Sequence, residues 1–168
     1  LCLSVLLTAC SSDDNNNNDN NDNNNDNNGT EEFFRAKVDG ADFAASTDPA
    51  SLIGATVSTN GGVTVAAAQG STNSGDFINF SIVNYNGPGT YTSGDSMTNP
   101  NMIMYGTIPA SAWTSNAISF LAGINPGQIN ITSDADGVLE GTFSFQGYNG
   151  DDMTTKNITQ GSFKASID

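Results

Sequence analysis

Few side chains in this chain can do chemistry, and their types narrow what it does. There is no histidine, which removes the commonest general base and the commonest metal ligand together. The two cysteines, Cys2 and Cys10, lie within the first ten residues, so the rest of the chain has no thiol for metal binding or nucleophilic attack. Oxygen ligands gather at two corners, Asp134-x-Asp136-Gly137 and Asp151-Asp152. Such corners suit Ca²⁺, which takes about six to eight oxygens. Neither has the loop with a terminal glutamate that calcium-binding helix pairs use. Aspartate and glycine are also what tight turns need for backbone reasons. Plain turns are therefore expected, with no metal and no cofactor. Millimolar calcium should leave the melting temperature unchanged; a rise of several degrees would contradict this.

Catalytic pairs are equally scarce. Glycoside hydrolysis needs two carboxyl groups across a bond. Glu140 is the only glutamate beyond Glu31 and Glu32. It alternates with Leu139 and Phe143 and so belongs on the solvent side of a strand, with Lys156 or Lys164 as its natural partner. A serine–lysine pair using either lysine is conceivable chemistry, but no nucleophile-elbow glycine pattern surrounds any serine. A non-catalytic protein is expected, and a carboxylate-dependent carbohydrate-active enzyme is the alternative. Trp113 with Tyr85, Tyr91, Tyr105 and Tyr148 offers flat apolar faces with polar handles, the equipment for stacking on sugar rings. The same residues serve equally well as caps at strand ends.

Charge limits the partners further. The net charge is −14. Five of the eighteen acids lie between residues 13 and 26; from Glu31 on, thirteen acids against Arg35, Lys37, Lys156 and Lys164 leave −9. Phosphate binding needs a basic patch, so nucleic acid is not an expected partner. Protein charge would not draw the chain to an anionic bilayer either.

The first ten residues point to a membrane by another route. Leu1 to Leu7 is apolar except for Ser4, like the core of a signal peptide. It falls well short of the roughly 20 residues a spanning helix needs. Leu7-Thr8-Ala9-Cys10 resembles the lipobox of a bacterial lipoprotein. That resemblance implies a leader over residues 1–9 and a lipid on Cys10, each buried methylene contributing about 0.8 kcal/mol of membrane affinity. The chain opens with Leu1 and shows no basic segment before the apolar run, so the leader is expected to begin upstream. Ser11 to Thr30 is almost wholly Asn and Asp with no apolar side chain. It has nothing to bury against the entropy of ordering. Residues 10–30 are thus expected to be a disordered tether, spanning roughly 25 Å as a coil. Ser11-Ser12-Asp13-Asp14 resembles the acidic export signal of surface lipoproteins in Bacteroidetes, which implies the outer face of the outer membrane. The alternative is an outer-membrane lipoprotein facing the periplasm.

From Glu31 the pattern becomes that of strands. Phe34, Ala36 and Val38 alternate with Arg35 and Lys37, and Asp39-Gly40 supplies a two-residue turn into Ala41 to Ala45. Leu52 to Ser58 and Val63 to Gln69 flank Asn60-Gly61-Gly62. Phe77 to Val83 puts Ile78, Phe80 and Ile82 on one face. Thr90 to Thr92 and Asn101 to Thr107 read as strands. Ile108 to Ser115 reads as one helical turn, and Ala117 to Ala122 as extended. Ile129 and Ile131, then Leu139, Phe143 and Phe145, then Phe163, Ala165 and Ile167 complete the inward set. No stretch has a helical apolar period and no strand–helix–strand spacing appears. The expectation over residues 31–168 is one all-β domain, a single antiparallel β-sandwich, with an up-and-down, calycin-like β-barrel as the alternative.

Phe34-Arg35-Ala36-Lys37-Val38-Asp39-Gly40, Gly89-Thr90-Tyr91, Leu139-Glu140-Gly141-Thr142-Phe143-Ser144-Phe145 and Gly161-Ser162-Phe163 together resemble a family of uncharacterised Bacteroidetes lipoproteins. The family is a β-rich domain of unknown function, and the likeness covers nearly all of residues 31–168. Phe43 fills the aromatic position that follows the family's first turn. The resemblance implies a β-rich lipoprotein and carries no catalytic residue. The expected function is a membrane-anchored binding or scaffold domain whose partner is a carbohydrate or another envelope protein.

Overall fold

The computed structural model describes residues 31–45, 47 and 52–168; Cys10, the leader and the tether lie outside them. The strands are β1 (Phe33–Val38), β2 (Ala41–Ala44), β3 (Ile53–Asn60), β4 (Val63–Ser71), β5 (Phe77–Val83), β6 (Gly89–Ser93), β7 (Met102–Thr107), β8 (Ser111–Ser115), β9 (Gly127–Ala135), β10 (Val138–Asn149) and β11 (Thr154–Ser166). One short helix, α1 (Ala117–Leu121), separates β8 from β9.

The expectation of an all-β antiparallel domain holds. All eleven strands join one sheet, in the order β2-β1-β11-β10-β8-β7-β5-β4-β3. A side branch leaves β10: β9 pairs its first half, and β6 pairs β9. The sheet curls into a half-barrel, and its far strand returns to β11. Ala55 of β3 bridges Ile167 in parallel, and the Asp168 N–H donates to the Ala55 carbonyl at 3.0 Å.

Alternation builds the core. Ile78, Phe80 and Ile82 of β5, Ile129 and Ile131 of β9, Leu139, Phe143 and Phe145 of β10, and Phe163 and Ala165 of β11 are all buried. Phe34 meets Phe163 and Phe143 with ring centroids 5.6 and 5.1 Å apart, and Phe80 meets Phe163 at 5.1 Å. Glycine makes room for these rings. A Cβ on Gly161 would lie 2.5 Å from the Phe143 carbonyl oxygen and would also run into the Phe143 ring. Backbone cannot yield there as a flexible side chain would. Gly161→Ala should cost about 1–3 kcal/mol; urea denaturation with an unchanged midpoint would contradict the packing.

One bulge reverses the alternation within β11. Ile158 is inward, and so are Gly161 and Phe163, a spacing of three followed by two. Gln160 absorbs the extra residue with a left-handed φ of 53°. Both neighbouring strands record the slip, β1 between Arg35 and Lys37 and β10 between Phe143 and Phe145.

Two local expectations are corrected. Ser111–Ser115 is a strand, because Trp113 pairs with Tyr105 in a hairpin with β7. Residues 117–121 are helical, because Asn116 caps them. Its side-chain oxygen accepts from the Ile118 and Ser119 N–H groups, and the Ser119 hydroxyl accepts from the Asn116 N–H at 2.8 Å.

Candidate functional site

The five aromatics singled out in the sequence do not assemble into one platform. Tyr105 stands beside Ile78 near the start of β5, whereas Tyr85 lies beyond its end. Five residue steps of strand, from Ile78 to Val83 and about 17 Å, separate the level of Tyr105 from the end of β5 that Tyr85 lies beyond. Tyr105 and Trp113 stack with centroids 5.7 Å apart, and Phe43 meets Tyr105 edge-on at 6.4 Å. Trp113 keeps 9%, Tyr105 8% and Tyr85 5% of their surface exposed, too little to offer a ring face to a sugar. Tyr91 leans on Tyr85 at 5.6 Å and ties its own loop, accepting from the Asn86 N–H and donating to the Gly87 carbonyl at 2.6 Å. Tyr148 lies on the other face of β10, opposite Thr114 and Thr155.

Around Trp113 the polar groups are tied into the fold. Its indole N–H donates to the Thr154 hydroxyl at 2.8 Å, and that hydroxyl donates to Asp152 at 2.6 Å. Lys156 Nζ lies 5.6 Å from the Trp113 ring centroid and 2.8 Å from Asp39. A cleft of about 340 Å³ opens beside it, lined in part by Asp42, Phe43, Asp76, Tyr105 and Lys156. Asp39 accepts from the Asn157 N–H and from Lys156, and these two bonds hold its carboxyl below the usual range. The bond to Asp39 pushes the Lys156 ammonium above its ordinary value.

The signs fix the pH window of this pair. Asp39, depressed when folded, stabilises above its unfolded value near 3.8 and loses that as pH falls through the folded value. Lys156, raised when folded, stabilises below 10.5 and loses that as pH rises through its folded value. Between those limits the exposed pair is worth at most about 1 kcal/mol. Asp39 sits at φ 49°, a backbone asparagine also adopts, so Asp39→Asn keeps the turn and removes only the charge. The variant should melt slightly lower at neutral pH and match the parent in strong acid; equal melting at both would deny the pair any role.

The acidic corners lie apart. Asp134 and Asp136 flank the start of β10, and Asp151 and Asp152 follow its end, twelve residues and about 40 Å away. Asp134 accepts from the Tyr85 hydroxyl at 2.8 Å. Burial first, then that carboxylate, hold the Tyr85 phenol well above its ordinary value and keep it a donor. Asp136 supplies the left-handed turn residue before Gly137. Among the described residues no three His, Cys, Asp or Glu side chains converge as metal ligands do. Glu140 has Lys164 and Ser133 as cross-strand neighbours, not a second carboxylate.

Sequence reasoning missed a third feature, on the convex side of the sheet. Thr90, Asn130, Thr142, Ser162 and Arg35 stand opposite one another across β6, β9, β10, β11 and β1. Their neighbours along each strand are the inward core residues, so this row faces out. A cleft of about 370 Å³ crosses it, lined by Gln128, Asn130, Thr142, Ser144, Gln160 and Ser162 with the backbone of Phe143 and Gly161. None of those side chains ionises. The alternation that turns them outward is visible in the sequence. Their meeting depends on register, which is not.

The profile of DUF6252, a domain of unknown function, matches residues 30–165. The chain belongs to the DUF6252 family. The match takes in every strand of the sheet but the last residue of β11 and begins where the Asn/Asp run ends. No curated protein and no solved structure matched the chain.

Proposed function

We propose that this DUF6252 protein is a Bacteroidetes outer-membrane lipoprotein. A lipid on Cys10 holds it, residues 11–30 tether it, and the half-barrel is a non-catalytic binding or scaffold domain at the cell surface. The observation that carries this reading is Leu7-Thr8-Ala9-Cys10, an apolar run ending at a cysteine, followed by an uncharged-to-acidic stretch that stops where the DUF6252 match begins. The non-catalytic part draws on side chains already engaged. Lys156 is bound to Asp39, Lys37 to Asp42, and histidine is missing from the whole sequence.

Protease treatment of intact cells tests the placement. Loss of the full-length band supports the outer face. Protection until the outer membrane is opened gives the periplasm-facing arrangement instead.

A second reading, an envelope component that contacts another protein, draws on α1. Ile118, Phe120 and Leu121 are exposed there, Leu121 at 68%. Cross-linking from position 121 in cells should then trap one defined partner, and a diffuse smear would count against it.

A further inference from the structure

The convex trough is a polar cleft on the outer face of the sheet. Its floor is three neighbouring strands, β9, β10 and β11, each with a strand on both sides and a break in pairing at the Gln160 bulge. An extended peptide therefore finds no free edge to lengthen. Its walls are amides and hydroxyls, groups that both donate and accept. With no ionisable group among the eight residues that line it, it has nothing to select a phosphate, a carboxylate or a basic side chain. That neutrality stands out in a domain of charge −9.

A second observation marks the same place. Gln160 is held at φ 53° by the bulge in β11, a conformation that costs a residue with a side chain roughly 1 kcal/mol relative to glycine. Gln160 lines the first cleft and also a second of about 280 Å³, with Arg35, Lys37, Asp42 and the β1–β2 backbone. Gln160 is the residue the two clefts share; the second, with Arg35, Lys37 and Asp42, carries charge and lies outside the neutral trough. On that charged side the Arg35 guanidinium lies 4.2 Å from the Phe33 ring centroid. The neutral row from Thr90 to Ser162 crosses three strand spacings, roughly 14 Å, enough for a short run of sugar units in line. Thr90 donates to the Asn130 side-chain oxygen at 3.0 Å, which leaves the Asn130 amide N–H₂ facing out.

We infer that this trough binds a neutral glycan chain, with Asn130, Thr142, Ser162 and Gln160 bonding its hydroxyls. The inference rests on the binding reading of the domain and adds its ligand class and place.

The test uses the full chain and affinity electrophoresis through gels containing dextran, mannan, xylan or β-1,3-glucan, with polygalacturonate as the charged comparison. At least one neutral polymer should retard the protein, equally at low and high salt, and polygalacturonate should not. Gln160→Gly removes the side chain while relieving the backbone, so it should melt at or above the parent temperature yet bind roughly tenfold more weakly. Thr142→Val, outward and nearly isosteric, should weaken binding without unfolding. Retardation by none of the neutral polymers overturns the inference. So does binding untouched by both substitutions, or retardation that follows charge and fades with salt. Cell-surface protection data are independent of these gels, so a failed gel with a positive protease experiment discards the glycan and leaves the anchored domain standing.

Discussion

Phe163→Ala is expected to remove about 3–5 kcal/mol of stability and to lower the melting temperature by about 10–15 °C. Phe163 has no exposed surface, and its ring touches those of Phe34, Phe80 and Phe143. Those three come from β1, β5 and β10, so one side chain ties both walls of the curled sheet. Gly141, cross-strand from Phe163, cannot fill the hole, having no side chain. The loss would be a large part of the 5–15 kcal/mol that a domain has in total. Chemical denaturation followed by circular dichroism reads it directly. A cost below about 1.5 kcal/mol would mean the rings do not interlock as described.

Cys10→Ala should move the protein almost entirely from the membrane fraction to the soluble fraction of lysed cells. Under the proposed lipidation two or three acyl chains hold the protein firmly; no helix of the described residues is long and apolar enough to cross a bilayer, and the −9 charge from Glu31 on repels an anionic surface. The domain itself should be unharmed, with the same melting temperature, since residue 10 lies outside the half-barrel unit Glu31–Asp168. A variant that stays with the membrane would place the attachment elsewhere.

Much of the fold could be read from strict alternation. Ile78-x-Phe80-x-Ile82 and Ile129-x-Ile131 turned inward as expected, and Asp39-Gly40 made its two-residue turn because both residues accept positive φ. The bulge was also within reach. Ile158 and Phe163 are both apolar but of opposite parity, and a strand burying both must gain or lose a residue between them. What failed was local ambiguity. Ile118 to Leu121 is apolar enough for a strand, and only the Asn116–Ser119 capping pair turns it into a helix. Sheet closure was beyond the sequence, since the meeting of Ala55 with Ile167 joins positions 112 apart.

The site was less legible than the fold. Trp113 and Tyr105 carry the right chemistry for stacking, but burial took their faces, and the strand length of β5 parted them from Tyr85. Glu140 faces out opposite Lys164, as alternation suggests. The Thr90–Asn130–Thr142–Ser162 row uses unremarkable residue types, and its meaning arises only when four strands bring them into line.

Intact-mass spectrometry of the protein extracted from its native envelope bears most directly on the anchor. The mature chain is expected to begin at Cys10 and to carry the added mass of a diacylglyceryl group with or without a further acyl chain. An unmodified amino terminus at or beyond residue 10 would contradict it.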